Sequence, residues 1–236
     1  MAEKKKGCYI AAIGCGAVLI IGGIIAAAVG IWSVKTAGKI KADLKDPLAR
    51  TKEILNVETL PENYHPQMAM SIPFIMDWVI ISNREREEVS DTDEIPEPDF
   101  GSEGLMYFNF ILGGRNPQGL HDFFEGKSDD ADVLRENNIQ IDTDEIINRG
   151  TLDLEGQKLL YLTQRGGVKL KEGSTRGLST LFLVLCPNDK RMRFGIWFGE
   201  DPMPEVAAEA LALEGSVGDL ERLTSFLGHF HFCPNP

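Results

Sequence analysis

The stretch EIINRGTLDLEGQKLLYLT, residues 145–163, decides how the rest of the chain is read. Two runs, Glu145–Leu154 and Lys158–Thr163, flank Glu155-Gly156, where glycine supplies the positive φ of a tight reversal. The pair therefore predicts a β-hairpin. A second hairpin follows from Thr180–Leu185 and Arg191–Phe198 around Pro187-Asn188-Asp189. Upstream, Gln67–Ser71 and Ile75–Ser82 read as strands separated by Pro73, and Leu105–Leu112 as a strand ended by Gly113-Gly114. Hairpins outnumber β-α-β crossovers, so the expected class is α+β, an antiparallel sheet with helices packed on it.

The expected helices lie around that sheet. Asn116-Pro117 opens one that ends near Gly126, and Asp129–Asn137 forms another. Pro204–Leu213 reads as helical. Asp219–His229 is a helix with Leu220, Leu223, Phe226, Leu227 and Phe230 toward the core. Arg165-Gly166-Gly167 and Gly113-Gly114-Arg115 read as turns, since neither has the spacing of a phosphate-binding loop. Residues 84–103 carry nine carboxylates and two prolines and read as a long solvated acidic loop.

At the other end, KKKGCYIAAIGCG, residues 4–16, opens an uncharged run of 25 positions from Cys8 through Trp32. At about 1.5 Å per residue a helix of that length spans roughly 37 Å, enough for a hydrocarbon core of ~30 Å. A cleaved signal has an apolar core of only about 7–15 residues, so the run reads as a retained anchor. Residues 1–7 are then a cytoplasmic tail, 8–33 a transmembrane helix, 34–56 a juxtamembrane helical stalk broken near residue 46, and 57–236 the main domain. Lys4, Lys5 and Lys6 place the N-terminus inside and the domain in the periplasm or outside the cell, although basic residues also follow the run. Gly22, Ala26 and Gly30 recur at fourfold spacing, the pattern of a helix-association face in lipid.

Charge divides the chain. Residues 1–52 hold nine Lys/Arg and three Asp/Glu, and the remainder is strongly acidic, giving −12 overall. An acidic domain excludes nucleic acid as a partner, because that interface needs a basic footprint. The partners that remain are the bilayer and another envelope protein or a second copy.

The chemistry-bearing motifs are sparse. His229-Phe-His231-Phe-Cys233 would put three polar side chains on one face of a strand, but no second pair with zinc spacing exists, so no metal or cofactor is expected. Asp91-Thr-Asp93 lacks the glycine and glutamate of a calcium loop. Ser179 and Ser225 lie in no nucleophile motif. Asp77 is a carboxylate between Met76 and Trp78, with alternation placing it on the wet face. Cys186 and Cys233 permit one disulfide in an oxidising compartment, and two buried thiols are the competing reading.

The stretch LPENYHPQMAMSIPFIMDWVIIS (60–82) and the ending FLGHFHFCP (226–234) resemble uncharacterised bacterial single-pass membrane proteins with a Lys-rich start and an extracytoplasmic domain. That resemblance implies architecture and no chemistry. Element order and the Phe-rich terminal helix are also similar to the PsbP/Mog1 type of sandwich, which implies binding or assembly. The expected function is a membrane-anchored envelope protein whose domain binds or assembles. The alternative is an envelope enzyme of the hydrolase type, with a site near Asp77 or near His229 and His231.

Overall fold

The computed structural model describes residues 38–86, 99–111, 116–137, 139, 141–170, 173–187, 189 and 191–234. The chain divides into two compact units, Met1–Ala42 and Asp43–Pro236. Of the first, the described residues 38–42 are helical. All that follows concerns the second.

Seven strands dominate this unit: β1 (His65–Ile72), β2 (Met76–Ser82), β3 (Glu103–Ile111), β4 (Ile141–Leu154), β5 (Gln157–Leu170), β6 (Gly173–Leu185) and β7 (Arg191–Gly199). They form one sheet in the order β1-β2-β3-β7-β6-β5-β4. Every neighbouring pair is antiparallel. Four short helices accompany it: α1 (Pro47–Leu55), α2 (Pro117–Phe124), α3 (Asp132–Glu136) and α4 (Leu220–Leu227). The helices share out between two apolar clusters, one on each face. Leu55 of α1 and Leu223, Phe226 and Leu227 of α4 join the cluster around Trp197 and Phe182. Leu120, Phe123 and Phe124 of α2 and Leu134 of α3 join the cluster around Phe194 and Leu181.

The helix ends follow local chemistry. The Asp46 carboxylate accepts from the Leu48 N–H, Pro47 takes the first helical position, and Asn56 closes α1 with φ 52°. The break thus falls at Asp46. Asn116 caps α2 ahead of Pro117, and Asp219 caps α4.

These observations correct the expected class. The unit is an antiparallel sheet with few helices rather than an α+β domain. Among the described residues no helix is long and apolar enough to cross a membrane. The anchor expected at 8–33, its Gly22/Ala26/Gly30 face, most of the acidic loop (87–98) and Gly113-Gly114-Arg115 lie outside the described residues. The excess of strand has a physical origin. Gly166, expected in a turn, sits inside β5 opposite Gly177 of β6. A Cβ at Gly166 would lie 2.0 Å from the Asp142 carbonyl oxygen, and one at Gly177 would lie 2.3 Å from that of Gly199. These glycines admit close backbone approach instead of reversing the chain. The strands therefore run on past them, and β4 absorbs the acidic DTDEI segment at 142–146. Pro204–Leu213 keeps only a single 3₁₀ turn at Ala208–Ala210. Leu220, expected in the core, is 50 % exposed, because it begins α4.

Two hairpins carry unusual turns. Glu155 and Gly156 both take positive φ, 51° and 83°, which matches the twist of the flanking strands. Between β1 and β2, the Ile75 N–H donates to the Ile72 carbonyl across Pro73-Phe74. Phe74 has φ 65° in the position that normally takes glycine or asparagine.

The C-terminal tail is fixed twice over. Cys186 and Cys233 are joined by a disulfide with Cα atoms 5.5 Å apart. The Gln157 amide donates to the Phe230 carbonyl at 3.1 Å and accepts from the Cys233 N–H at 3.0 Å. Phe230 and Phe232 are buried between them.

Two measurements follow from these constraints. Gly166→Ala adds a methyl against backbone that has no rotamer to yield, and should lower stability by about 1–3 kcal/mol in chemical denaturation. Reducing the Cys186–Cys233 bridge opens a separation of 47 residues. Loop-closure entropy for that length is roughly 4 kcal/mol, so the thermal midpoint should fall by many degrees on reduction while the native near-ultraviolet signal persists at low temperature.

Candidate functional site

An open cleft of about 530 Å³ lies beside the N-terminal half of α4. Its walls are Pro61, Glu62 and Tyr64 from the loop before β1, Trp197 from β7, and Glu221, Arg222, Ser225 and His229 on and after α4. Asp219 sets the position of α4. Its carboxylate accepts from the Gly215 N–H, first in effect, and from the Glu221 and Arg222 N–H groups, and these bonds outweigh desolvation and hold its carboxyl below the usual carboxylate range.

The floor is aromatic. Trp197 stacks on Phe226 with ring centroids 4.4 Å apart, and Tyr64 meets Phe226 at 4.8 Å. The Arg222 guanidinium lies 5.0 Å over the Trp197 ring. Behind the floor runs a relay of hydrogen bonds. Trp197 Nε1 donates to the Tyr64 hydroxyl at 3.1 Å, Tyr64 donates to Glu103, and Arg222 Nη2 donates to both Glu103 oxygens at 2.7 and 2.8 Å. Burial, then the adjoining Glu103 carboxylate, push the Tyr64 hydroxyl far above its ordinary pKa. That hydroxyl is a fixed donor and not a base near neutral pH. On the rim, the Glu62 and Glu221 carboxylates meet no partner among the described residues.

A second polar cluster lies at the far end of β3. Asp77 accepts from Ser71 Oγ at 2.6 Å, Asn109 Nδ2 at 2.9 Å and Arg191 Nη1 at 3.3 Å. Asp189 accepts from the Arg191 N–H at 2.9 Å and from Arg193 Nη2 at 2.6 Å. Burial opposes the Asp189 charge, but the Arg191 N–H and the Arg193 guanidinium win and hold its carboxyl low.

The residues singled out in the sequence are dispersed. Asp77 is in the far cluster. His229 lines the cleft with Nδ1 against the Ser225 carbonyl, 2.8 Å away. His231 faces Glu155 at 3.9 Å. His229 and His231 alternate with buried Phe230 and Phe232, as strand-like spacing demands, but the Cys233 sulfur is in the disulfide and supplies no thiolate to a metal. No group of three metal-ligating side chains occurs among the described residues. Tyr64, Glu103, Trp197 and Arg222, which build the site, carry no sequence signal. Arg222 and Glu103 are 119 positions apart, and Trp197 and Tyr64 are 133 apart.

No protein-family model matches the chain, and no curated protein matches it.

Alkaline titration tests the relay. Burial raises the pKa of Tyr64, Tyr107 and Tyr161 in the fold. A raised folded pKa gives stability that is fully present below the unfolded value near 10 and is lost as pH climbs through the folded value. Stability should therefore fall steadily above pH ~10. Tyr64→Phe should shallow that fall in urea titrations across the range; an unchanged slope would show that Tyr64 ionises freely.

Proposed function

We propose that the chain is a membrane-anchored binding or assembly protein, with its sheet domain outside the cytoplasm and the cleft at α4 as its partner site. The carrying observation is that the functional groups on the cleft floor are mutually satisfied. Arg222 and Tyr64 are spent on Glu103, and Asp219 on the helix N-terminus. Such a floor has shape and rigidity but no poised nucleophile or base. What it offers a partner is an aromatic base under the carboxylates of Glu62 and Glu221, which meet no partner among the described residues and suit a basic segment of another envelope polypeptide. The Cys186–Cys233 bridge supports an oxidising compartment, where such bonds persist. The uncharged run from Cys8 through Trp32 supports the anchor. The resemblance of the two chain ends to single-pass bacterial membrane proteins agrees with both.

A photocrosslinking amino acid at Glu62 or Glu221, activated in intact cells, should give discrete adducts that are absent from the same probe at exposed Lys158 on β5. Adducts at Lys158 equal to those in the cleft would remove the cleft as the partner site. Conversion of a small-molecule panel by purified protein, abolished by Arg222→Ala, would replace binding with catalysis.

A further inference from the structure

From the β1–β2 turn we infer that the hairpin tip inserts into the interfacial layer of a lipid bilayer, an inference that rests on the anchored reading above. Phe74 is 80 % exposed at the tip, with Ile75 at 55 % beside it. Ile111, at the end of β3, is 52 % exposed, and its N–H donates to the Ile75 carbonyl at 3.3 Å. Three large apolar side chains thus project from one corner, joined by backbone hydrogen bonds. The turn does not place them there for want of an alternative. Glycine suits φ 65°, and a bulky ring there is a true outlier. Strain kept at an exposed aromatic points to a role for the ring.

Area and charge select the occupant. With half-buried Trp78 and Phe110 behind it, the patch is on the order of 400–500 Å², well short of the ~800 Å² per partner of a stable protein interface. Shallow insertion of a few rings and branched chains needs no such area, and a tether makes a weak contact sufficient. The surrounding charge is also cancelled. Asp77 is paired with Arg191, and Asp189 with Arg193, so among the described residues the carboxylates of this corner are neutralised and do not repel headgroups.

The test uses the full chain in phosphatidylcholine vesicles, with Phe74 replaced by p-benzoylphenylalanine. Irradiation should yield lipid adducts on the tip peptide, and the same probe at Leu220, 50 % exposed at the start of α4, should yield none. Equal adducts at both positions, or none at either, overturn the proposal, and crosslinks to a second copy reassign the tip to self-association. Alkaline extraction of the same vesicles reads the anchor separately: extraction with tip adducts retained sinks only the anchor, and retention without tip adducts sinks only the tip. In a chain carrying the probe at Ile111, Phe74→Gly should cut lipid adducts at least about fivefold while the thermal midpoint holds or rises. A lowered midpoint would show that the ring serves the fold and would overturn the proposal.

Discussion

The pairing of β3 with β7 is the contact on which the rest depends. Strands β1 to β3 form one meander and β4 to β7 another, each closed by neighbours in sequence. Only the ladder from Glu103↔Gly199 to Ile111↔Arg191 makes them a single sheet. That ladder brings Trp197 beside Leu105, and so beneath Tyr64 and Arg222. It also brings Arg191 to Asp77 across 114 positions. Without it neither apolar cluster is continuous, because Val79 and Leu105 on one face and Ile80 and Met106 on the other would lose the β6–β7 half of their surroundings. Such long-range pairing forms late and slowly. The two meanders are the natural early units, with the helices of each face closing over them once the ladder exists.

The polar relay at the cleft contributes register more than stability. Glu103 opens β3 with its side chain 17 % exposed, and Arg222 is 37 % exposed. Desolvating such a pair offsets much of its attraction, so a net gain of several kcal/mol is not expected. A slip of β3 by one residue, however, would turn Glu103 to the opposite face and strand Arg222 over Trp197 with no counter-charge. The same slip would drive Leu105 and Tyr107 into the opposite apolar cluster, where Ile80 and Met106 already pack. Polar and apolar constraints therefore specify one register together.

What the sequence made legible was local. The hairpin around Glu155-Gly156, the caps at Asp46, Asn116 and Asp219, and the buried side of α4 are written in neighbouring residues, and the structure has them close to where they were expected. The errors came from glycines and from length. Gly166 looks like punctuation in a single chain, yet its missing Cβ serves another strand. Once Gly166 is read as a turn, β5 shortens and the balance tips falsely toward helix. The Phe74 turn was hidden for the opposite reason, since a glycine-like conformation is held by a residue that never signals one. The cleft was illegible because Tyr64, Glu103, Trp197 and Arg222 meet only through the β3–β7 register.

That register also separates the two surfaces proposed to meet partners. Glu103, which anchors the cleft relay, begins β3, and Ile111, which supports the exposed tip, ends it. At about 3.3 Å per residue the two are roughly 26 Å apart along one rigid strand. Occupation of one does not obstruct the other. A contact at the tip, as proposed, would orient the sheet, and the strand from Glu103 to Ile111 would carry that orientation to the cleft without hinge or loop between them. On the proposed anchored reading, a binding domain built this way would gain from its tether twice, through raised local concentration and through a cleft whose direction is set by the strand itself.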